Sequence, residues 1–200
     1  MPPTAPREHP GEPEENDHAN PWGTPMSAPS STGTGPGLAR LNSLPRPELV
    51  KKLLACLDVQ RWANEIADNR PYESDTRLYE VADRAAAELS ESEIHSALAA
   101  HPRIGQRSTG NETSASWSRR EQSGVDADDT KLAVELAEAN EEYERRFGHV
   151  YLVCASGRSG PELLEILRSR LDNDPVTELR VVADELRKIA RLRLARVIEA

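Results

Sequence analysis

From Leu44 to the end of the chain, apolar side chains recur at steps of three and four, and each run is bounded by residues that start or stop helices. Few folds satisfy such a pattern. A stripe at that period buries one side of a helix, and a succession of stripes with short breaks packs as a multi-helix domain. Pro47 opens the stretch Pro47-Glu48-Leu49-Val50-Lys51-Lys52-Leu53-Leu54, where a first helical turn tolerates proline. A second helix carries Trp62 and Ile66 and stops before Arg70-Pro71-Tyr72, because a proline cannot continue it. Leu78, Val81, Ala82, Ala85 and Leu89 mark the stripe of a third. Ser90-Glu91-Ser92-Glu93 has capping-box spacing and starts a short helix that runs to Ala99-Ala100. Helices are also expected around Ser118 to Gln122, from about residue 128 to Phe147 with a stop at Gly148, and from Ser159-Gly160-Pro161-Glu162 to Arg170-Leu171. The last follows Asp174-Pro175 and carries Leu179, Val182, Leu186, Ile189, Leu192 and Val197. The period changes only over His149-Val150-Tyr151-Leu152-Val153-Cys154, a short apolar run that reads as a strand. With no second run to pair with, it is expected as an extended connection. The fold class expected is all-α, a single compact multi-helix domain, with no internal repeat and no phosphate-binding glycine fingerprint.

Composition divides the chain. Residues 1–42 hold most of the prolines, include Gly33-Thr34-Gly35-Pro36-Gly37, and have almost no aliphatic side chains, too few to offset the entropy of ordering. They are expected to form a disordered tail ahead of a helical domain over residues 43–200. The tail lacks a basic segment followed by an apolar one, and nowhere does the chain supply the roughly 18 consecutive apolar residues of a membrane span. A soluble, cytoplasmic protein with no membrane partner is expected. The net charge of -9, with arginines interleaved among acids, argues against nucleic acid, whose phosphates need a dense cationic face. A small molecule or a protein is the expected partner. Cys56 and Cys154 sit in the aliphatic contexts Leu-Ala-Cys-Leu and Leu-Val-Cys-Ala, where cysteine behaves as a small buried residue.

The residues that carry chemistry lie around the break after the capping-box helix. His101 precedes Pro102, which disfavours helical backbone before it, so the imidazole sits at a helix end where it can face a cleft. Ser118, Glu121 and Gln122 fall at i, i+3 and i+4, which places a hydroxyl, a carboxylate and an amide on one helical face. Each signal alone has an ordinary reading as a cap, a solvated face or, for Arg170, a complement to a helix dipole. Trp62, Trp117 and Phe147 read as packing residues in so aromatic-poor a chain. His9, His18, His95 and His149 form no zinc-like spacing with His101, so no metal is expected.

Together, His101-Pro102-Arg103-Ile104-Gly105, Ser118-x-x-Glu121-Gln122, Asn140-x-x-Tyr143-x-x-x-Phe147-Gly148, Arg170-Leu171-x-Asn173 with Glu178, and Lys188-Ile189-Ala190-Arg191-Leu192-Arg193-Leu194 resemble the OHCU decarboxylase family of urate breakdown. Leu41-Asn42, Trp62 and Arg70-Pro71-Tyr72 extend the likeness over about residues 41 to 198. The resemblance implies an all-helical carboxy-lyase that converts 2-oxo-4-hydroxy-4-carboxy-5-ureidoimidazoline into S-allantoin and carbon dioxide with no cofactor, and a homodimer. It implies catalytic roles for His101, for Glu121 as its acid-base partner, and for Arg170 as the cation facing substrate. Pro102, Ser118, Gln122 and the backbone over Tyr151, Leu152 and Val153 would bind substrate. Two positions depart from the family's usual pattern: Arg103-Ile104, where Asp-Leu-Ala is common, and Leu152, near which an aromatic is common. The alternative reading is a catalytically idle helical module that binds a small ligand or a protein partner through the same pocket. A third is an acidic interaction protein that recruits partners through its tail.

Overall fold

The structure, a computed structural model, describes residues 35–104, 112–122 and 130–199. Among them the regular elements are all helices: α1 (Pro36–Ser43), α2 (Arg46–Cys56), α3 (Gln60–Asp68), α4 (Asp75–Ala87), α5 (Glu91–Ala99), α6 (Glu112–Glu121), α7 (Thr130–Phe147), α8 (Gly160–Arg170) and α9 (Pro175–Glu199). The all-α expectation holds. The start and stop signals act as their chemistry requires. Ser90 and Glu93 form the reciprocal capping box of α5, and α7 ends where Gly148 adopts a positive φ of 76°.

Helix α1 corrects the expected domain boundary. It lies within the stretch read as tail, yet Leu38 and Leu41 are 1% exposed and belong to the main core. Its Gly37 packs so close to α9 that a Cβ would stand 1.7 Å from the Ile198 carbonyl oxygen. The Pro/Gly content that reads as disorder here serves a helix start and a close helix contact. The remainder of the tail expected over residues 1–42, its first 34 residues, lies outside the described residues.

Helix α9 is the long element of the fold, packed against α1, α2, α4 and α5 around one apolar cluster that includes Leu49, Leu53, Trp62, Leu78, Leu186 and Leu194. Trp62 is fully buried and donates its indole N–H to the Ala82 carbonyl at 2.9 Å, which joins α3 to α4. Two separated sequence matches meet on the same side: the Asn42 side chain bridges the N–H and C=O of Tyr72, both at 2.9 Å, and Arg70 donates to the Leu44 carbonyl at 2.6 Å. Helices α7 and α8 pair around a second cluster with Leu136, Tyr143, Leu163 and Leu167.

The connection between α7 and α8 joins the two clusters. Tyr151, Val153 and Ala155 belong to the α7/α8 cluster, whereas Leu152 belongs to the main core and Val150 and Cys154 pack against it. That alternation is the period of a strand buried on both faces, which is why the sequence reads as one. No strand is formed among the described residues, as expected for a run without a partner. The partners its backbone groups do find are therefore not those of a neighbouring strand.

Candidate active site

Because α5 ends at Ala99 and Pro102 prevents its continuation, the ring of His101 folds back on the last turn, with Nδ1 2.9 Å from the Ala97 carbonyl oxygen. A carbonyl only accepts, so in the neutral ring Nδ1 carries the hydrogen and Nε2 keeps its lone pair. Nε2 is buried and has no hydrogen-bond partner among the described residues. Burial pushes the imidazole pKa down to about 4, helped by the nearby Arg193 charge, against weaker opposing effects of the Ala97 hydrogen bond and Glu121. The ring is thus an uncharged base at neutral pH.

Helix α6 presents Ser118 and Glu121 one turn apart, 6% and 7% exposed. Arg193 of α9, 4% exposed, reaches both. Its Nε and Nη2 donate to the two Glu121 oxygens at 3.0 and 2.9 Å, and Nη2 also donates to Ser118 Oγ at 3.2 Å. This is the two-pronged geometry that only guanidinium offers a carboxylate. One turn further along α9, Arg196 donates to Glu121 Oε1 at 2.9 Å. Removing either member of so buried a pair strands the other, at a cost of about 3–5 kcal/mol. Cys56 is buried beside this cluster, and the apolar surroundings push its thiol up to about 12, so it is an inert packing group. Cys154 is likewise a free thiol, half-buried, with its pKa raised by burial.

His101, Pro102, Ser118, Glu121, Gln122 and Arg193 line one narrow cleft, closed on the far side by Leu152 and Val153 of the α7–α8 connection. Eight of the residues singled out in the sequence thus divide: His101, Pro102, Ser118, Glu121, Gln122, Leu152 and Val153 meet at the cleft, while Arg170 does not line it. Arg170 sits behind the wall. Its Nε donates to Glu178 Oε1 at 2.9 Å and its Nη1 to the Leu152 carbonyl at 2.7 Å, and its guanidinium lies 4.9 Å from the centre of the Tyr151 ring. Tyr151 is fully buried on that same side. Glu178 is 0% exposed and is completed by Asn173 Nδ2 at 2.7 Å and the Tyr143 hydroxyl.

The guanidinium facing the cleft is Arg193, to which sequence reasoning gave no role. A signal was present: Leu186, Ile189, Arg193 and Val197 share one helical stripe, and a charge on a stripe of that kind is unusual. Glu178 and Glu185 lie on the same buried side of α9. Arg103, one of the departures from the family pattern, is also accounted for: its Nε donates to Glu144 of α7 at 2.5 Å. Among the described residues no three His, Cys, Asp or Glu side chains are grouped to hold a metal ion, and no helix is long and apolar enough to cross a membrane.

Comparison with known proteins identifies the family of the chain. The family model described as OHCU decarboxylase matches residues 42–195. The chain is 33% identical over 145 residues to the uric acid degradation bifunctional protein TTL of Arabidopsis thaliana, covering 71% of this chain and 45% of that protein. It therefore spans about half the length of that relative. The 2-oxo-4-hydroxy-4-carboxy-5-ureidoimidazoline decarboxylase of Haloferax volcanii is 27% identical over 159 residues, 79% of this chain and 94% of that one. A crystal structure of OHCU decarboxylase in the presence of (S)-allantoin superposes with a TM-score of 0.63 at 29% identity, over 74% of this chain and 98% of that one. With the family model spanning residues 42–195 and every cleft residue lying within them, this chain belongs to the OHCU decarboxylase family.

Proposed function

We propose that this protein decarboxylates 2-oxo-4-hydroxy-4-carboxy-5-ureidoimidazoline to S-allantoin in urate degradation, with His101 as the proton-handling base, Glu121 as its acid-base partner and Arg193 as the cation that faces the substrate. The observation that carries this reading is the buried, unpartnered Nε2 of His101 in the cleft it shares with the Arg193–Glu121 pair. A structural histidine would satisfy both nitrogens, and this one leaves a lone pair aimed at nothing.

The chemistry supports the assignment. When the carbon–carboxylate bond breaks, the released pair passes into the adjacent ring C=N, so the substrate supplies its own electron sink and no cofactor is required. The hydroxyl on the same carbon surrenders its proton to Nε2, and the neighbouring ring carbon receives one, on a single face to give the S product. The former imine nitrogen takes up one further proton, so turnover consumes one proton overall. A base with its pKa held low by burial is unprotonated and ready at neutral pH. Arg193, with Ser118 beside it, offers preorganised donors to the substrate's anionic groups. Pro102, Gln122, Leu152 and Val153 complete the binding surface. The test is S-allantoin formation from freshly generated substrate, followed by circular dichroism against the spontaneous racemic decay. A protein that adds no optical activity beyond that background would overturn the reading.

A further inference from the structure

The unpaired strand-like connection that walls the cleft is held by charged side chains in place of a partner strand. On one side of Val153, Arg170 Nη1 donates to the Leu152 carbonyl at 2.7 Å. On the other, Glu185 of α9, 6% exposed, accepts the Cys154 N–H at 2.7 Å. Both are charge-assisted bonds in buried surroundings, and both act on backbone groups, so they fix the main chain where side-chain packing alone would leave it free to slide. Val153 lies between the two tethers and lines the cleft. Its own N–H and C=O have no hydrogen-bond partner among the described residues, which leaves them available to a ligand.

We propose that Glu185 is a positioning residue for the active site: by gripping the Cys154 N–H against the Arg170 tether on Leu152, it sets where the backbone of Val153 meets the substrate. The inference rests on the decarboxylase reading of the cleft. Glu185 does not line the cleft, and so acts only through the wall. Its second oxygen accepts from Lys188 at 2.7 Å, but Lys188 also reaches Asp184 at 2.9 Å and keeps a carboxylate if Glu185 is replaced.

The test compares full-length wild type with Glu185→Gln, Glu185→Asp and Glu185→Met in the S-allantoin assay, with thermal melts alongside. Gln keeps an acceptor at the same reach and is expected to hold KM close to the wild-type value. Asp is one methylene short and Met offers only a weak thioether acceptor; each is expected to raise KM about tenfold, on the scale of one lost buried hydrogen bond, with kcat nearly unchanged. A merely structural role would reduce the fraction of folded enzyme, lowering apparent kcat at constant KM. Wild-type KM in Glu185→Asp, or an equal rise in Glu185→Gln, overturns the proposal, and should Glu185→Met fail to fold, Glu185→Asp decides alone. An inactive wild type would instead sink the decarboxylase reading and this inference with it, whereas an active wild type with unmoved KM values sinks only this one.

Discussion

Replacing His101 with Asn separates a catalytic histidine from a packing one, because a catalytic role predicts a loss of activity in a protein that still folds. In the folded protein the ring makes one hydrogen bond, from Nδ1 to the Ala97 carbonyl, and buries Nε2 with no partner. Asn can supply an N–H toward the same carbonyl, and its Oδ1 takes over from Nε2 as the buried acceptor without a partner, so the desolvation cost of about 1–3 kcal/mol is common to both proteins. Stability at pH 7 is therefore expected to stay close to the wild-type value. Activity is expected to fall by about 10²- to 10⁴-fold, the usual contribution of a positioned acid-base group. The pH dependence gives a second reading of the same site. With the folded pKa down at about 4 and the unfolded value near the ordinary 6.5, the unfolded state binds the proton more tightly, so the ring's contribution is complete above pH 6.5 and is lost as pH falls toward 4. That loss amounts to about 3 kcal/mol at pH 4, and the Asn variant should escape it. Urea melts of both proteins between pH 4 and 7, with S-allantoin kinetics at neutral pH, measure all three quantities. A variant that keeps most of its activity, or wild-type and variant stabilities that run parallel from pH 7 to 4, would refute the account of His101 as a buried neutral base.

Arg193→Lys should lose about 10²-fold or more in kcat/KM, since an ammonium cannot span both Glu121 oxygens and Ser118 as the guanidinium does; near-normal kinetics would return Arg193 to a purely structural part. Gly37→Ala should destabilise by about 1–3 kcal/mol through the clash of its Cβ with the Ile198 carbonyl, seen as a lowered Tm with unchanged KM. Deleting residues 1–40 removes Leu38 from the core and the Arg40 bond to the Ile198 carbonyl at 3.2 Å, and should cost about 2–3 kcal/mol in a urea melt. An unchanged melt would mean that α1 contributes nothing to the core.

Most of the helices were legible because propensity, periodicity and capping agree at each one, as at Ser90-Glu93 and Gly148. Helix α1 was not, since two buried leucines in a Pro/Gly context are too few to reveal a period, and only the tertiary contact with α9 discloses why Gly37 is there. At the site, His101, Ser118, Glu121 and Gln122 were legible through local geometry alone: a proline after the histidine and a single helical face. The choice between two arginines was not local. Arg170 and Arg193 each stand on a helix near other charges, and what separates them is the partner each finds in space, Glu178 just beyond the helix end for one and Glu121, 72 residues earlier, for the other.

Helix α9 carries Glu178, Glu185 and Arg193 on one buried side, at intervals of seven and eight residues, close to two helical turns each. These three charges anchor the back of the wall, the wall itself and the reacting face of the cleft. The consequence is a ruler that tolerates respelling but not a change of length. Inserting one residue between Glu185 and Arg193 would leave every helical hydrogen bond intact and every surface residue soluble, yet turn Arg193 by about 100° and advance it by about 1.5 Å, out of reach of Glu121. Over the course of descent, gains and losses of residues in this fold should therefore collect in its loops, while α9 drifts in composition at constant length.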